Sequence, residues 1–323
     1  MTRATRISNG LAAPVLVLAA FAAMASSVGA AAGDPAARLA AQVAAHREPS
    51  TIAPGFATWH LPGGHIRHDS ASYSVEAVIA PAFALWRGRL PGLAGAWQLD
   101  AVPRFAVRRS DGLPSNPVFT PDYRPHVDLH YVPGRVAARW GAVFTLEHHS
   151  NGQAGPFLNA DGSGPNVTDG SFSLWSVAAA WHIGGLARAP WARAILQARH
   201  HYNKEGPLDA LYPDWEFSLG LRAAPPAPDR GRYAGRTAYA LDLDWLPRTR
   251  ADQPRAWKPD PFGVALMIIH VPAWSRGEPE RAQPLLGDAA LFARFQAGPD
   301  PYNMNFARAM RRLEAGLSAP LGL

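Results

Sequence analysis

The chain contains no cysteine, so no disulfide contributes to its stability. Only 17% of its 323 residues are charged, whereas about 25% is typical of a soluble domain. Beyond the first 32 residues, no apolar run reaches the roughly 18 residues that a transmembrane helix needs. The net charge of +6 is not concentrated in a basic stripe with interleaved aromatics, which argues against nucleic acid as a partner.

The start of the chain has the pattern of a secretory signal. Arg3 and Arg6 precede an apolar run at 11–25, and small residues follow it. A membrane-anchor helix is the alternative interpretation, but the run is short for a span of about 20 residues. We therefore predict a signal peptide over residues 1–32 and a mature chain that leaves the cytoplasm.

The remainder divides into an N-terminal extension, 33–55, and a long region, 56–323. The extension contains an Ala-rich piece at 34–47 that suits either a short helix or a linker. In the long region, segments of about ten residues alternate with turns rich in Pro, Gly, Asp and Asn, which is typical of antiparallel strands. The candidate strands are 73–85, 94–104, 125–131, 137–149, 172–183, 192–202, 215–223, 236–246, 262–271, 289–296 and 308–318.

These segments are amphipathic. In 215–222 and 238–245, one face is apolar with aromatics near the strand ends, and the other is small or charged. A soluble sandwich and a transmembrane barrel both show this alternation, but a barrel turns its apolar face to lipid. Secretion, the missing cysteines, and 11 Trp, 13 Phe and 8 Tyr favour the barrel. We predict an all-β fold, an antiparallel transmembrane β-barrel.

One strand ends in reactive groups. The stretch LEHHSNGQAG occupies 146–155, and a period of two places His148 and Ser150 at the end of the apolar face. If that face meets lipid, the pair lies at the membrane boundary, where the acyl ester of a phospholipid is found. A histidine can activate a serine hydroxyl as a nucleophile. The alternative is an interfacial histidine beside a Ser-Asn-Gly turn, which is ordinary turn chemistry.

Four sequence patches, in order along the chain, resemble the outer-membrane phospholipase A family of Gram-negative bacteria. HHSNG at 148–152 matches the hallmark His-x-Ser-Asn-Gly, and FALWRG at 83–88 is similar to the family's Phe-x-Leu-Trp-Arg-Gly segment. SNP at 115–117 with YRP at 123–125 resembles its Ser-x-Pro and Tyr-x-Pro loop. YNMNF at 302–306 resembles its penultimate loop.

The resemblance implies about twelve strands in the outer membrane and calcium-dependent hydrolysis of phospholipid acyl esters, a phospholipase A1/A2 activity. It also implies activation as a homodimer. Ser150 would be the nucleophile and His148 the base, and Gly152 would lie near the oxyanion hole. Ser115 and Gln153 would bind calcium through their backbone carbonyls.

The second half of the implied site departs from the family pattern. A Gly-rich loop at 156–170 is longer than expected, and the best match beyond it places Asp169 where the family has a calcium-binding serine. A carboxylate is a good calcium ligand. The same match places Ser173 where an asparagine would orient the histidine, with Asn159 or Asn166 as lower-ranked substitutes. Strand parity puts Ser173 on the outer face, like His148.

Three further interpretations stay open at this point. A lipid A deacylase also carries His-x-Ser on an outward strand, although in a smaller barrel. A barrel with a degraded site, serving as a structural or binding protein, would explain the serine at 173. Gln98 matches loosely the polar group that dimers of the family bury, and a Gln that faces the lumen is its alternative.

Overall fold

The computed structural model describes residues 34–54, 58–60, 73–110, 121–134, 139–162, 166, 169–186, 189–224, 236–247, 261–271, 290–300 and 309–319. The predicted signal peptide, Ser115 and the 302–306 patch lie outside these residues. In the described part of the chain, no helix is long and apolar enough to cross a membrane.

The described elements are almost all strands. The helices are α1 (Pro35–His46) and α2 (Leu208–Leu211). The strands are β1 (Ser50–Pro54), β2 (Thr58–His60), β3 (Tyr73–Ile79), β4 (Phe83–Leu90), β5 (Leu93–Ser110), β6 (Asp122–Pro133), β7 (Trp140–Ser150), β8 (Ser173–Leu186), β9 (Ala189–Tyr202), β10 (Trp215–Ala223), β11 (Arg236–Trp245), β12 (Phe262–Val271), β13 (Ala290–Pro299) and β14 (Ala309–Ala319).

Twelve of these strands close into an antiparallel ring, which confirms the predicted barrel. The order runs from β1 through β3 and β5 to β14, and β14 pairs back with β1. The short β2 extends β1 along β14, and β4 extends β3 along β5. Closure leaves each ring strand paired on both sides, so its backbone groups are satisfied without solvent.

Two boundaries differ from those that the sequence suggested. Ser50–Pro54 precedes the predicted start of the barrel at residue 56, yet it forms β1 between β14 and β3. Five residues are too few to display a period of two, so pairing with a strand near the other end of the chain determines this element. The segment predicted at 73–85 is two strands, because the chain is not in strand conformation at Ala80 and Pro81.

The two faces of the wall follow the predicted alternation. Large apolar side chains lie exposed on the outside, among them Leu146, Leu243 and Phe262. Charged side chains are buried inside, including Arg108 at 1% exposure and Glu314 at 0%. Gln98 also faces inward: it accepts a hydrogen bond from Arg87 at 2.7 Å and donates one to Asp100 at 2.6 Å. It is fully buried, so the lumen-facing alternative holds for this residue.

A single carboxylate connects four strands across the closure of the ring. Glu76 on β3 binds Arg108 of β5, Arg294 of β13 and Arg312 of β14. Arg108 also binds Asp300 at 2.7 Å. Charges removed from water are tolerated only when they are paired and hydrogen-bonded, as these are. The lumen thus contains an ion-pair lattice around a cavity of about 320 Å³.

Helix α1 packs inside one end of the barrel. Asp34 caps it by accepting from the Ala36 amide, and a proline at its first position supports helix initiation. Gln42 donates to the Ala142 carbonyl at 2.8 Å. A Cβ at Gly141 would lie 1.7 Å from the Gln42 side chain, so only glycine allows this approach.

The last residue of α1 reaches a polar cluster on the lumen wall. His46 Nδ1 lies 3.2 Å from His182 Nε2, and its Nε2 lies 3.8 Å from a carboxylate oxygen of Asp128. The His46 and His130 rings meet edge to face at 5.5 Å. The neighbouring Arg47 binds Asp100 at 3.1 Å. Together these contacts hold the helix in the lumen.

Acid should weaken the docking of α1. Burial lowers the pKa of His46 from 6.5 to about 4, and Asp128 only partly opposes the shift. The docked helix therefore binds fewer protons than the free helix, so its stability is complete above pH 6.5 and falls as the pH drops towards 4. Hydrogen exchange of the α1 amides, corrected for intrinsic rates, should be faster at pH 4.5 than at pH 7. His46→Gln should remove most of this difference, and an unchanged difference in the variant would refute the assignment to His46.

Candidate active site

The outer face of β7 and β8 brings three of the predicted residues together at one rim of the barrel. Ser150 is the last residue of β7, and Ser173 is the first of β8. The two serines are register partners, and His148 is paired with Trp175. Their inward-facing neighbours, Glu147 and His149, are buried, as strand parity predicted.

His148 is held from two directions. Its Nε2 lies 3.2 Å from the Ser173 hydroxyl, within hydrogen-bond distance. Its ring stacks on Trp175 with centroids 4.7 Å apart and planes 28° apart. Ser173 therefore occupies the place that its alignment predicted. Asn166, an alternative for that place, is hydrogen-bonded to the Pro156 carbonyl and to Asp169.

The His148 imidazole lies near Ser150 at the end of β7 and Ser173 at the start of β8. Its tautomer decides which ring nitrogen donates a hydrogen bond and which can act as a base. If Nε2 carries the proton, it donates to Ser173, and Nδ1 is left as the base. If Nδ1 carries the proton, Nε2 accepts from the Ser173 hydroxyl instead. Within the described residues, no hydrogen bond joins His148 to Ser150. The geometry thus pairs the histidine directly with one serine and places the other beside it.

Behind the outer face, a lumenal pair fixes the end of β7. His149 Nε2 lies 2.6 Å from Asp122, which also binds Arg104 at 3.2 Å and Arg124 at 3.0 Å. Asp122 precedes Tyr123, the register partner of Ser150. Sequence analysis missed Asp122, because it lies far from His149 along the chain and only the register of β6 against β7 brings them together.

Asn151 ties the end of β7 to the start of β8. It is 1% exposed and donates to the Gly170 carbonyl at 2.7 Å. Its side-chain oxygen accepts from the amides of Gln153 at 3.2 Å and Phe172 at 3.0 Å. These bonds shape the turn in which Gly152 adopts a φ of 68°, a value that favours glycine. Gly152 is the residue predicted to lie near the oxyanion hole, and it follows directly after Ser150 and Asn151.

Two of the three predicted calcium ligands, Gln153 and Asp169, lie in the loop that follows. The Gly155 amide donates to the Asp169 carbonyl at 2.9 Å, and a Cβ at Gly155 would lie 3.0 Å from the Asp169 carboxyl carbon. The exposed carboxylate therefore lies against the turn that carries Gln153. Among the residues described, no three His, Cys, Asp or Glu side chains gather to hold a metal. One carboxylate beside backbone carbonyls still fits calcium, which binds oxygen ligands of both kinds.

An apolar cluster packs behind this loop on the lumenal side. Phe157 and Phe172 pack against Leu174, Leu208 and Leu211. The rings of Phe172 and His149 lie 4.5 Å apart, so the cluster reaches the lumenal side of the site. The Glu205 amide also donates to the Ser173 carbonyl at 2.9 Å. The first residue of β8 is therefore supported by the loop before α2 as well as by β7.

Comparison with known proteins gives structural matches only. No family model and no curated protein matches the sequence. The fold matches outer membrane phospholipase A from Escherichia coli with a TM-score of 0.55 at 14% identity, over 87% of this chain and 96% of that chain. An active-site mutant of the E. coli protein matches with a TM-score of 0.53 at 14% identity, over 84% and 90% of the two chains.

A third similar structure is the Salmonella typhi outer membrane phospholipase, solved as a dimer with bound calcium. It matches with a TM-score of 0.52 at 13% identity, over 84% of this chain and 90% of that chain. At such low identity these likenesses establish a shared barrel fold. They extend over most of each chain, so the whole barrel is shared and not only a group of strands.

Removing the Asn151 side chain should loosen the turn after Ser150. Asn151→Ala leaves the buried Gly170 carbonyl and the buried Phe172 amide without their partner, a cost of about 1–3 kcal/mol for each unsatisfied group, and it also removes the acceptor of the more exposed Gln153 amide. We expect faster hydrogen exchange at the amides of Gln153 and Phe172, while the strands stay protected. Asn159→Ala changes an exposed amide in the same loop and serves as the control. Equal exchange in the two variants would contradict this role for Asn151.

Proposed function

We propose that the protein is a serine esterase of the outer membrane that hydrolyses acyl esters of phospholipids, a phospholipase A. The observation that carries this proposal is the placement of His148, Ser150 and Ser173 together on the outer, apolar face at a strand end. An aqueous esterase would need these groups in a solvent-filled cleft. Here they lie where the ester of a membrane lipid would be, between head groups and acyl chains. The fold likeness to outer membrane phospholipases supports the same activity.

In the proposed reaction, His148 accepts the proton of the Ser150 hydroxyl while the serine oxygen attacks the ester carbonyl. The carbonyl oxygen gains the negative charge, and the backbone amide of Gly152 would donate to it. The ester C–O bond then breaks, and His148 returns its proton to the departing lysophospholipid. Water, deprotonated by His148, attacks the acyl-serine and releases the fatty acid and free Ser150.

Ser173 has the orienting role in this scheme. By accepting a hydrogen bond from the Nε2–H group, it would select the tautomer in which Nδ1 is the base, as the third member of a triad does. A hydroxyl is short and uncharged, so it stabilises the imidazolium less than a carboxylate would. The 3.2 Å contact supports this role but allows the reverse direction of donation too. With donation in the reverse direction, His148 would activate Ser173 in place of Ser150.

Calcium is the cofactor that the loop chemistry suits. Asp169 would hold it with the carbonyls of Gln153 and of Ser115, the latter outside the described residues. When bound, calcium supplies positive charge near the oxyanion. We further propose that a second copy of the chain completes the active form, since the described outer face exposes large apolar side chains, such as Leu146, Leu243 and Phe262, that can pair within the membrane. The dimeric, calcium-bound Salmonella typhi structure supports both proposals by analogy.

The nucleophile can be identified by covalent labelling. A fluorophosphonate should react with Ser150, and Ser150→Ala should lose hydrolysis of a phospholipid by several orders of magnitude while the barrel still folds. Ser173→Ala should lose only about tenfold in activity, or about 1.4 kcal/mol, because it removes an orienting hydrogen bond.

Both serines lie within one tryptic peptide, 140–188, so tandem mass spectrometry must locate the label. If the label is found on Ser173 and Ser150→Ala retains activity, then Ser173 is the nucleophile and Ser150 is not. No hydrolysis by the wild-type chain, with or without calcium, would favour a barrel without enzymatic activity.

Calcium dependence should be sensitive to Asp169. Asp169→Ala removes the carboxylate beside Gln153, so the calcium concentration for half-maximal hydrolysis should rise several-fold while the rate at saturating calcium changes little. Asp161→Ala removes an exposed carboxylate from the same loop and should leave the titration unchanged. Identical titrations for wild type and Asp169→Ala would exclude Asp169 as a ligand.

A further inference from the structure

An aromatic row on the outer face ends at the candidate base. Its rings stand on neighbouring strands from β12 to β8: Phe262 pairs with Trp245, Trp245 with Phe217, and His200 with Trp215. Ring contacts run from Trp245 to Tyr202: the centroids are 5.5 Å apart for Trp245 and Phe217, 6.0 Å for Phe217 and Trp215, 4.6 Å for Trp215 and His200, and 6.3 Å for His200 and Tyr202. Tyr202 is the register partner of Trp175, which continues the row to β8.

Trp175 differs from the rest of this row because its ring stacks on His148. The centroid separation of 4.7 Å and the 28° angle between planes are those of an offset stack. Trp175 is directly opposite His148 in the register, so backbone pairing holds the two rings at this distance. The contact is thus determined by the sheet itself and not by a mobile loop.

We propose that Trp175 is a positioning residue for His148, an inference that rests on the proposed function. The hydrogen bond to Ser173 fixes the position of Nε2. It does not fix the tilt of the imidazole plane about the line from Cγ to Nε2. The indole face fixes the plane of the ring, so the other nitrogen stays directed towards its partner. When His148 takes up a proton, the resulting imidazolium also lies against an electron-rich aromatic face, which attracts cations. The ring therefore favours the state that His148 must reach during the reaction.

The test separates this role from ordinary membrane anchoring. In the full-length protein with calcium and phospholipid in mixed micelles, Trp175→Leu should lower kcat three- to tenfold and change KM less than twofold. Trp175→Phe keeps an aromatic face and should retain more of kcat. Trp215→Leu removes a ring of the same row that does not contact His148, so both constants should be unchanged. An equal loss in Trp215→Leu, or a loss confined to KM, would overturn the proposal.

A second measurement does not depend on hydrolysis. Diethyl pyrocarbonate modifies neutral imidazoles, and tandem mass spectrometry can follow His148 with the buried His149 on the same peptide as internal reference. Trp175→Leu should speed the modification of His148 relative to His149, whereas Trp215→Leu should not. Equal ratios in wild type and Trp175→Leu would refute the stacking role. If the wild type hydrolyses no phospholipid, the proposed function fails, and this ratio still tests the contact between the two rings.

Discussion

The positions of His148, Ser150 and Ser173 depend on the register of β7 against β8. Because side chains alternate with a period of two, a slip of one residue would turn His148 and Ser150 into the lumen and bring Glu147 and His149 to the outside. The register is held on both faces. His149 binds Asp122 on the lumenal side, and Asn151 bonds to the backbone at Gly170 and Phe172 just beyond the strand ends. The outward site is therefore a consequence of inward contacts.

The lumen explains how a chain with few charges can bury so many of them. An isolated charge in such a place would be very costly, but here the buried carboxylates have partners: Asp122 binds two arginines, and Glu147 binds Arg199. Glu76 alone binds arginines from three other strands, so its lattice also joins the first strands of the ring to the last. The apolar outside and the ionic inside are opposite in character to those of a soluble sandwich. This arrangement suits a wall with lipid on one side.

Sequence reasoning could predict the wall because long strands display their period directly. The pattern of β7 was enough to place His148 and Ser150 on one face, and the match to the family's second motif, with strand parity, placed Ser173 on the same outer face. It could not predict β1 and β2, which are too short to show a period and exist through pairing with β14. It also missed Asp122 and the stack of Trp175 on His148, since both contacts follow from cross-strand register, which a single strand does not encode.

The enclosed position of α1 constrains how the molecule can assemble. The helix directly precedes β1, and β1 completes the ring by pairing with β14, the last described strand. Once that seam is closed, a helix anchored to Asp100, Ala142 and His182 has no lateral route into the lumen. It must therefore already lie inside, or enter through the open end, when the two ends of the chain meet. The pairing of β1 with β14 joins residues more than 260 positions apart, so it should be the slow step of folding. In this order of events, the barrel strands pack around α1 before the last pair of strands forms.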